Sequence, residues 1–162
     1  MFNAELPFWA ARYGYRFNFK DKIGDVEYFG LGPDECYEDK CEYAELGWYS
    51  YLPDDPKNSY EKPQECNSRM GCRWVSFKSE NILFKVSSES FSFCVTEYNI
   101  NECDGIAHKK DLPRADGAYL HLDYRMSGVG SRSCGGDDPQ PECRINPGEK
   151  FDFSFFIRPE KI

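Results

Sequence analysis

Aromatic residues recur at every second position in parts of this chain, and that period constrains the fold more than any other feature. In Arg12–Phe19 the set is Tyr13, Tyr15, Phe17 and Phe19, with Arg12, Gly14, Arg16 and Asn18 between them. Successive side chains of a strand point to opposite faces, so this pattern sends one set to a core and the other outward, whereas a helix needs a period near 3.6. Residues 118–125 repeat the pattern, with Leu120, Leu122 and Tyr124 set against Tyr119, His121, Asp123 and Arg125. In 151–158, Phe151, Phe153, Phe155 and Ile157 alternate with Asp152, Ser154, Phe156 and Arg158. Further strands are predicted at 26–31, 43–51, 72–77, 82–86 and 91–98, each bounded by Gly, Pro, Asn, Asp or Ser. Only 100–108 suits a short helix, and Gly105 weakens it. Strands that follow one another without long helices indicate an antiparallel sandwich or barrel. With neither an internal repeat nor a linker, residues 1–162 read as one domain, large enough to bury roughly 70% of its unfolded surface.

Charge narrows the function. Twenty-eight acidic residues against 20 basic ones give a net charge of −8, and no basic run exceeds Lys109-Lys110. Nucleic acid and anionic membranes both require a basic footprint, so neither is expected as a partner. The first twenty positions lack a basic start followed by an apolar block, and the reading is of neither a signal peptide nor a membrane span. Eight cysteines stand at 36, 41, 66, 72, 94, 103, 134 and 143. A domain of this size does not need staples, which favours reduced thiols in a bacterial cytoplasm, with an exported, disulfide-bearing form left open. No Cys-x-x-Cys occurs and His108 and His121 are not spaced as paired ligands, so no metal site is expected. The isolated motifs of common catalysts are missing, and although a retaining glycosidase needs two carboxylates about 5–5.5 Å apart, nothing singles out a pair among the acids. The loops at 53–57 and 135–142 read as solvated turns.

The order of short motifs adds a resemblance. Arg12-Tyr13-Gly14 comes first, then VEYFGLGP at 26–33 with Glu35, Tyr37 and Asp39-Lys40. Pro63-Gln64-Glu65, Arg69, Arg73-Trp74, Phe91-Ser92-Phe93, Ala107-His108 before Asp111-Leu112, and Leu122-Asp123-Tyr124 follow, and SGVGSRSCG closes the series at 127–135. In this order they resemble the C-terminal (small chain, domain 5) domain of glycoside hydrolase family 2 β-galactosidases, over about residues 6 to 158. The resemblance implies a large twisted antiparallel β-sandwich of the galactose-mutarotase-like kind. It also implies a parent enzyme that hydrolyses terminal β-galactosides by the retaining route, with both catalytic glutamates in a barrel outside this chain. Partners are then the remaining domains or large chain of a homo-oligomeric enzyme and its galactoside substrate. No cofactor is expected in this fragment, since the magnesium and sodium ions common in the family are bound by other domains.

What the resemblance assigns to this domain is a loop at the leaving-sugar side of the active site, mapping to 127–135. The candidate substrate-binding residues are Ser131, Arg132, Ser133, Cys134 and Gly135. The best-known members carry a Trp there as a stacking platform, whereas this chain has no Trp after Trp74 and Cys134 stands in the motif. A thiol has no flat face to offer a sugar. Asn101-Glu102 repeats the dipeptide that precedes the family's general acid, but it lies in the candidate helix, so no catalytic role is expected for it. Two alternatives are a free-standing carbohydrate-binding β-sandwich and, from the shared fold class, an aldose epimerase relying on His108 or His121.

Overall fold

The computed structural model describes residues 9–53, 60–130 and 138–162. The protein is all-β and antiparallel, as its alternation predicts. Among the described residues seven strands, β1 (Arg12–Phe19), β2 (Ile23–Gly32), β3 (Glu45–Tyr51), β4 (Arg69–Ser79), β5 (Ile82–Thr96), β6 (Ala118–Met126) and β7 (Phe156–Lys161), form one sheet in the order β1-β6-β5-β4-β2-β3, with β7 on β5. Every pairing is antiparallel.

Two strands predicted separately, at 82–86 and 91–98, are one fifteen-residue strand. Its polar middle, Ser87-Ser88-Glu89-Ser90, reads as a break in sequence. It is instead where β5 changes neighbours, pairing with β7 over Ile82 to Ser87 and with β6 over Ser92 to Thr96. On its other side β4 bulges twice between Arg69 and Trp74, and Gly71 takes a φ of 61° there, a left-handed conformation that suits glycine.

The sheet curls until distant strands meet, which gives it its sandwich character. Phe19 of β1 packs edge-on against Phe77 of β4 at 5.5 Å, although β6 and β5 lie between those strands. Tyr51 of β3 likewise reaches Phe93 of β5 at 6.3 Å. The enclosed core includes Val26, Tyr28, Val75, Phe77, Val86, Phe91, Phe93, Leu120 and Leu122. Burying a side chain of this kind contributes roughly 1.5–3 kcal/mol, so the inward half of each alternating pattern supplies the main driving force.

Two expectations shift. The helix foreseen at 100–108 shrinks to a single 3₁₀ turn at Ile100–Glu102, capped by Asn99, and Gly105 has a φ of 79° that α-helix excludes. The last strand begins at Phe156 rather than 151. Phe151, Phe153 and Phe155 do alternate inward, but as a strap lying across β1 and β6, where Phe151 meets Tyr13 at 4.8 Å and Phe153 stacks on Tyr124 at 4.9 Å. Period-two alternation reports which side chains face the protein, and a ladder is only one way to satisfy it.

Behind β5 and β6, on the face away from Leu120 and Leu122, the chain between Tyr60 and Ser68 forms a second cover. Cys94 Sγ bonds the Cys66 carbonyl at 3.2 Å, Asn67 reaches the Val95 carbonyl, and Ser68 Oγ contacts Met126 Sδ. That cover explains why His121 and Asp123, read as outward, are buried.

Candidate functional site

The last residues of β6 lead into the candidate loop, and four of its nine positions, 127–130, are described. Ser127 fixes the exit: its N–H donates to the Ala11 carbonyl, its hydroxyl donates to the Ala10 carbonyl at 2.6 Å, and the same oxygen accepts from Ile145 N at 2.9 Å. Gly128 N donates to the Cys143 carbonyl at 2.8 Å. Asp39 then grips the next two amides, Oδ1 accepting from Val129 N at 3.0 Å and Oδ2 from Gly130 N at 2.8 Å. A Cβ on residue 128 would sit 2.4 Å from that carboxyl group, so glycine is required by the closeness of the clamp. The five predicted contact residues, Ser131, Arg132, Ser133, Cys134 and Gly135, lie outside the described residues.

Asp39 is itself held by a compact turn. Tyr37 and Lys40 form an isolated bridge, with both backbone bonds made, at 2.8 and 3.1 Å. Lys40 Nζ donates to Glu35 Oε1 at 2.7 Å, the Tyr60 hydroxyl donates to the same oxygen, and Asn67 N donates to Oε2 at 2.7 Å. Burial alone would raise the Glu35 carboxyl, but these donors outweigh it and hold the pKa below the ordinary value. Next to Asp39, Glu38 receives Arg125 from β6 at 3.1 Å, and Arg125 also reaches Glu149 at 2.9 Å.

Beneath the loop stem lies a buried polar cluster. Arg12 Nη1 meets His121 Nδ1 at 2.7 Å, while Nη2 donates to Glu65 at 3.2 Å and lies 3.6 Å from Asp123 Oδ2. The Tyr37 hydroxyl donates to Glu65 Oε1 at 3.5 Å. Two carboxylates thus share one guanidinium in a desolvated setting. Burial raises the Asp123 carboxyl to about 7 against the pull of Arg12, and raises Glu65 as well. His121 is driven down to about 3, first by burial and then by repulsion from Arg12 and Arg16, so its imidazole is neutral. Asp123 is almost wholly enclosed and cannot present its carboxyl to a sugar.

Arg12 and Glu65 also form one wall of a surface cleft that continues along Met126, Ser127, Gly128 and Val129. At about 260 Å³ it is smaller than the roughly 300–1,000 Å³ of self-sufficient small-molecule pockets. It is a shallow surface cleft whose lining mixes the charged pair Arg12 and Glu65 with the backbone of the loop stem.

Several motifs named in sequence therefore converge. Arg12, Tyr37, Asp39, Glu65 and Asp123 come from four separate stretches and meet around the stem of one loop. Sequence singled out each, but had no means of seeing that Arg12 joins Glu65 and Asp123, or that Asp39 acts on 129 and 130. Other named residues stay apart. His108 stands on the surface 3.6 Å from Glu61, and Glu102 accepts from Asn99 in its 3₁₀ turn. Arg73 bonds the Glu89 carbonyl, and Trp74 packs against Trp48. Among the described residues no group of three or more His, Cys, Asp or Glu could hold a metal ion, since the acids gather around Arg12, Lys40 and Arg125. The seven described cysteines are free thiols, and Cys134 lies outside the described residues. Among the described residues no helix is long and apolar enough to cross a membrane.

Comparison with known proteins agrees with these motifs. A family model described as beta galactosidase small chain matches residues 2–157. A β-galactosidase of Actinobacillus pleuropneumoniae is 42% identical over 131 residues, covering 81% of this chain and 13% of the relative. A β-galactosidase of Staphylococcus xylosus is 30% identical over 156 residues, covering 91% of this chain and 15% of the relative. One of Kluyveromyces lactis is 33% identical over 129 residues, covering 76% and 12%. The chain thus spans about an eighth of the length of the relatives it matches.

Proposed function

This chain belongs to the beta galactosidase small chain family, and from that premise we propose that it is a non-catalytic component of a β-galactosidase hydrolysing terminal β-D-galactosides. It packs on the catalytic barrel and lends the 127–135 loop to the leaving-sugar side of the active site. The double displacement of a retaining family 2 glycosidase needs a nucleophile and an acid/base placed close together on either side of the sugar. In this reading both come from outside the chain, as do the residues holding any magnesium or sodium ion.

The observation that carries the proposal is the fixation of the loop stem. Ser127 is tied to two backbone groups, and Asp39 clamps 129 and 130 beside a small open-sided cleft. A turn that only joins two strands does not require such bracing, whereas a wall that must be placed within a fraction of an ångström of a bound sugar does. Beyond the stem, the Arg132 guanidinium and the hydroxyls of Ser131 and Ser133 supply donors for a sugar. Cys134 gives a small apolar surface in place of a ring.

The test uses the complete β-galactosidase carrying this chain, with Arg132, Ser133 and Cys134 replaced by alanine. A leaving-sugar wall predicts altered transfer to acceptor sugars and a raised KM on lactose, at a cost of about 1–3 kcal/mol for a few pocket contacts. An aryl galactoside, whose leaving group makes other contacts, should respond less. Unchanged kinetics on both substrates, with an unchanged ratio of transfer to hydrolysis, would reduce the loop to a structural turn.

A further inference from the structure

The face of the sheet opposite the core carries an aromatic row. Paired residues of neighbouring strands point the same way, and the register places Trp48 opposite Phe29, Phe29 opposite Trp74, Trp74 opposite Ser87, and Ser87 opposite Phe156. The row therefore crosses five strands, β3-β2-β4-β5-β7, on one surface. Leu46, paired with Leu31, extends it along β3 and β2. Tyr28 and Val86, the chain neighbours of Phe29 and Ser87, are buried in the core, which fixes the row on the outer side. Trp48 is 69% exposed, Phe156 70% and Leu46 57%. Large aromatics scattered singly on a surface need no explanation, but an aligned row of this kind, interrupted only by Ser87, marks a contact.

We infer that this outer face is the docking surface for the remaining polypeptide of a β-galactosidase, which covers it with an apolar, uncharged patch. The inference rests on reading the chain as one component of that larger enzyme, and adds which face is covered. Three observations favour this occupant. The relatives are about eight times longer than the stretch matched here, so a large body of protein adjoins the domain in them. On one side the row is bordered, two residues along each strand, by Glu27, Ser50, Ser76, Lys85 and Arg158, so an apolar strip meets a polar margin of mixed charge, as at the edge of a protein interface. Trp48 and Trp74 meet edge to face, 74° apart with centroids at 4.7 Å. A pyranose needs a flat platform, and two crossed indoles offer notches that interdigitating side chains fill instead.

Hydroxyl-radical footprinting of the complete enzyme, read by mass spectrometry, tests this. Covered residues should be modified about tenfold more slowly than in the urea-unfolded enzyme, with the buried Tyr28 as the internal reference for full protection, because an interface core excludes water. That protection of Trp48 and Phe156 should persist without galactose and on dilution. If the face is open to solvent, both residues should label within about twofold of the unfolded rate, given their exposure here, and the inference fails. Protection appearing only with added galactose would make the row a sugar platform, and protection lost on dilution would make it a contact between copies. Either result overturns the assignment. In the same enzyme, Trp48→Glu should lower the unfolding temperature while Trp48→Phe restores it, and equal stability of the two variants also counts against a covered face. Because these readouts do not involve residues 127–135, an active enzyme with an exposed row would leave the loop proposal standing, and the reverse holds as well.

Discussion

The buried cluster beneath the loop predicts a pH response in which two groups oppose each other. His121 has a folded pKa of about 3 against an ordinary 6.5, so folding binds fewer protons there, and its contribution is lost as pH falls below 6.5. Asp123 has a folded pKa of about 7 against 3.8, so folding binds more protons there, and stability is lost as pH rises from about 4 to 7. Glu65, also raised by burial, acts in the same direction as Asp123. At about 1.4 kcal/mol per pH unit, His121 and Asp123 each change stability by about 3 kcal/mol between pH 4 and 6.5, with opposite signs. These two nearly cancel, which leaves the cluster with the direction set by Glu65. Asp123→Asn leaves the His121 response uncovered, so stability should rise by about 3 kcal/mol from pH 4 to 6.5 relative to wild type. His121→Asn, whose amide oxygen can still accept from Arg12, should fall by a similar amount over the same range. Urea unfolding followed by tryptophan fluorescence at half-unit pH steps gives the slopes. Two variants whose slopes depart from wild type in the same direction, or either one parallel to wild type, would show that these groups are not desolvated together around Arg12.

Other perturbations follow from the same geometry. Gly128→Ala forces its Cβ into the Asp39 carboxyl group and should cost about 1–3 kcal/mol in unfolding free energy, as overpacking does; a thermal shift matching wild type would contradict the clamp. Ser127→Ala leaves the Ala10 carbonyl and Ile145 N–H without their shared partner, and a loss of about 1–3 kcal/mol is expected, detectable as faster amide exchange at Ile145. Arg12→Met strands Glu65 and Asp123 without a cation and should destabilise by about 3–5 kcal/mol at pH 8. The loss should shrink at pH 5, where the carboxyls take up protons, and an equal loss at both pH values would rule out the electrostatic cause. The free chain should not turn over a chromogenic β-galactoside, and activity abolished by Glu102→Gln would reverse the functional reading.

The sequence by itself determined the class of fold and most of its strands. Alternation in Arg12–Phe19 and in β6 is written in neighbouring residues, and the sorting of apolar from polar side chains is a property of each segment alone. It also determined the family, because the motifs stand in a fixed order along the chain. Only the tertiary structure decided what depends on pairing between distant segments. Ser87 to Ser90 look like a turn until β5 is seen to exchange β7 for β6, and Phe151 to Phe155 look like a strand until they are seen to lie across β1. His121 and Asp123 look solvated because nothing near them in sequence reveals that residues 60–68 pass behind β6. Asp39 lies 90 positions from Val129, Glu65 lies 53 from Arg12, and the aromatic row exists only once five strands are in register. Local pattern carries the free energy of burial, which each segment holds separately, whereas a charge pair, a clamp or a docking face is a distance between segments, and the closing of the sheet sets that distance.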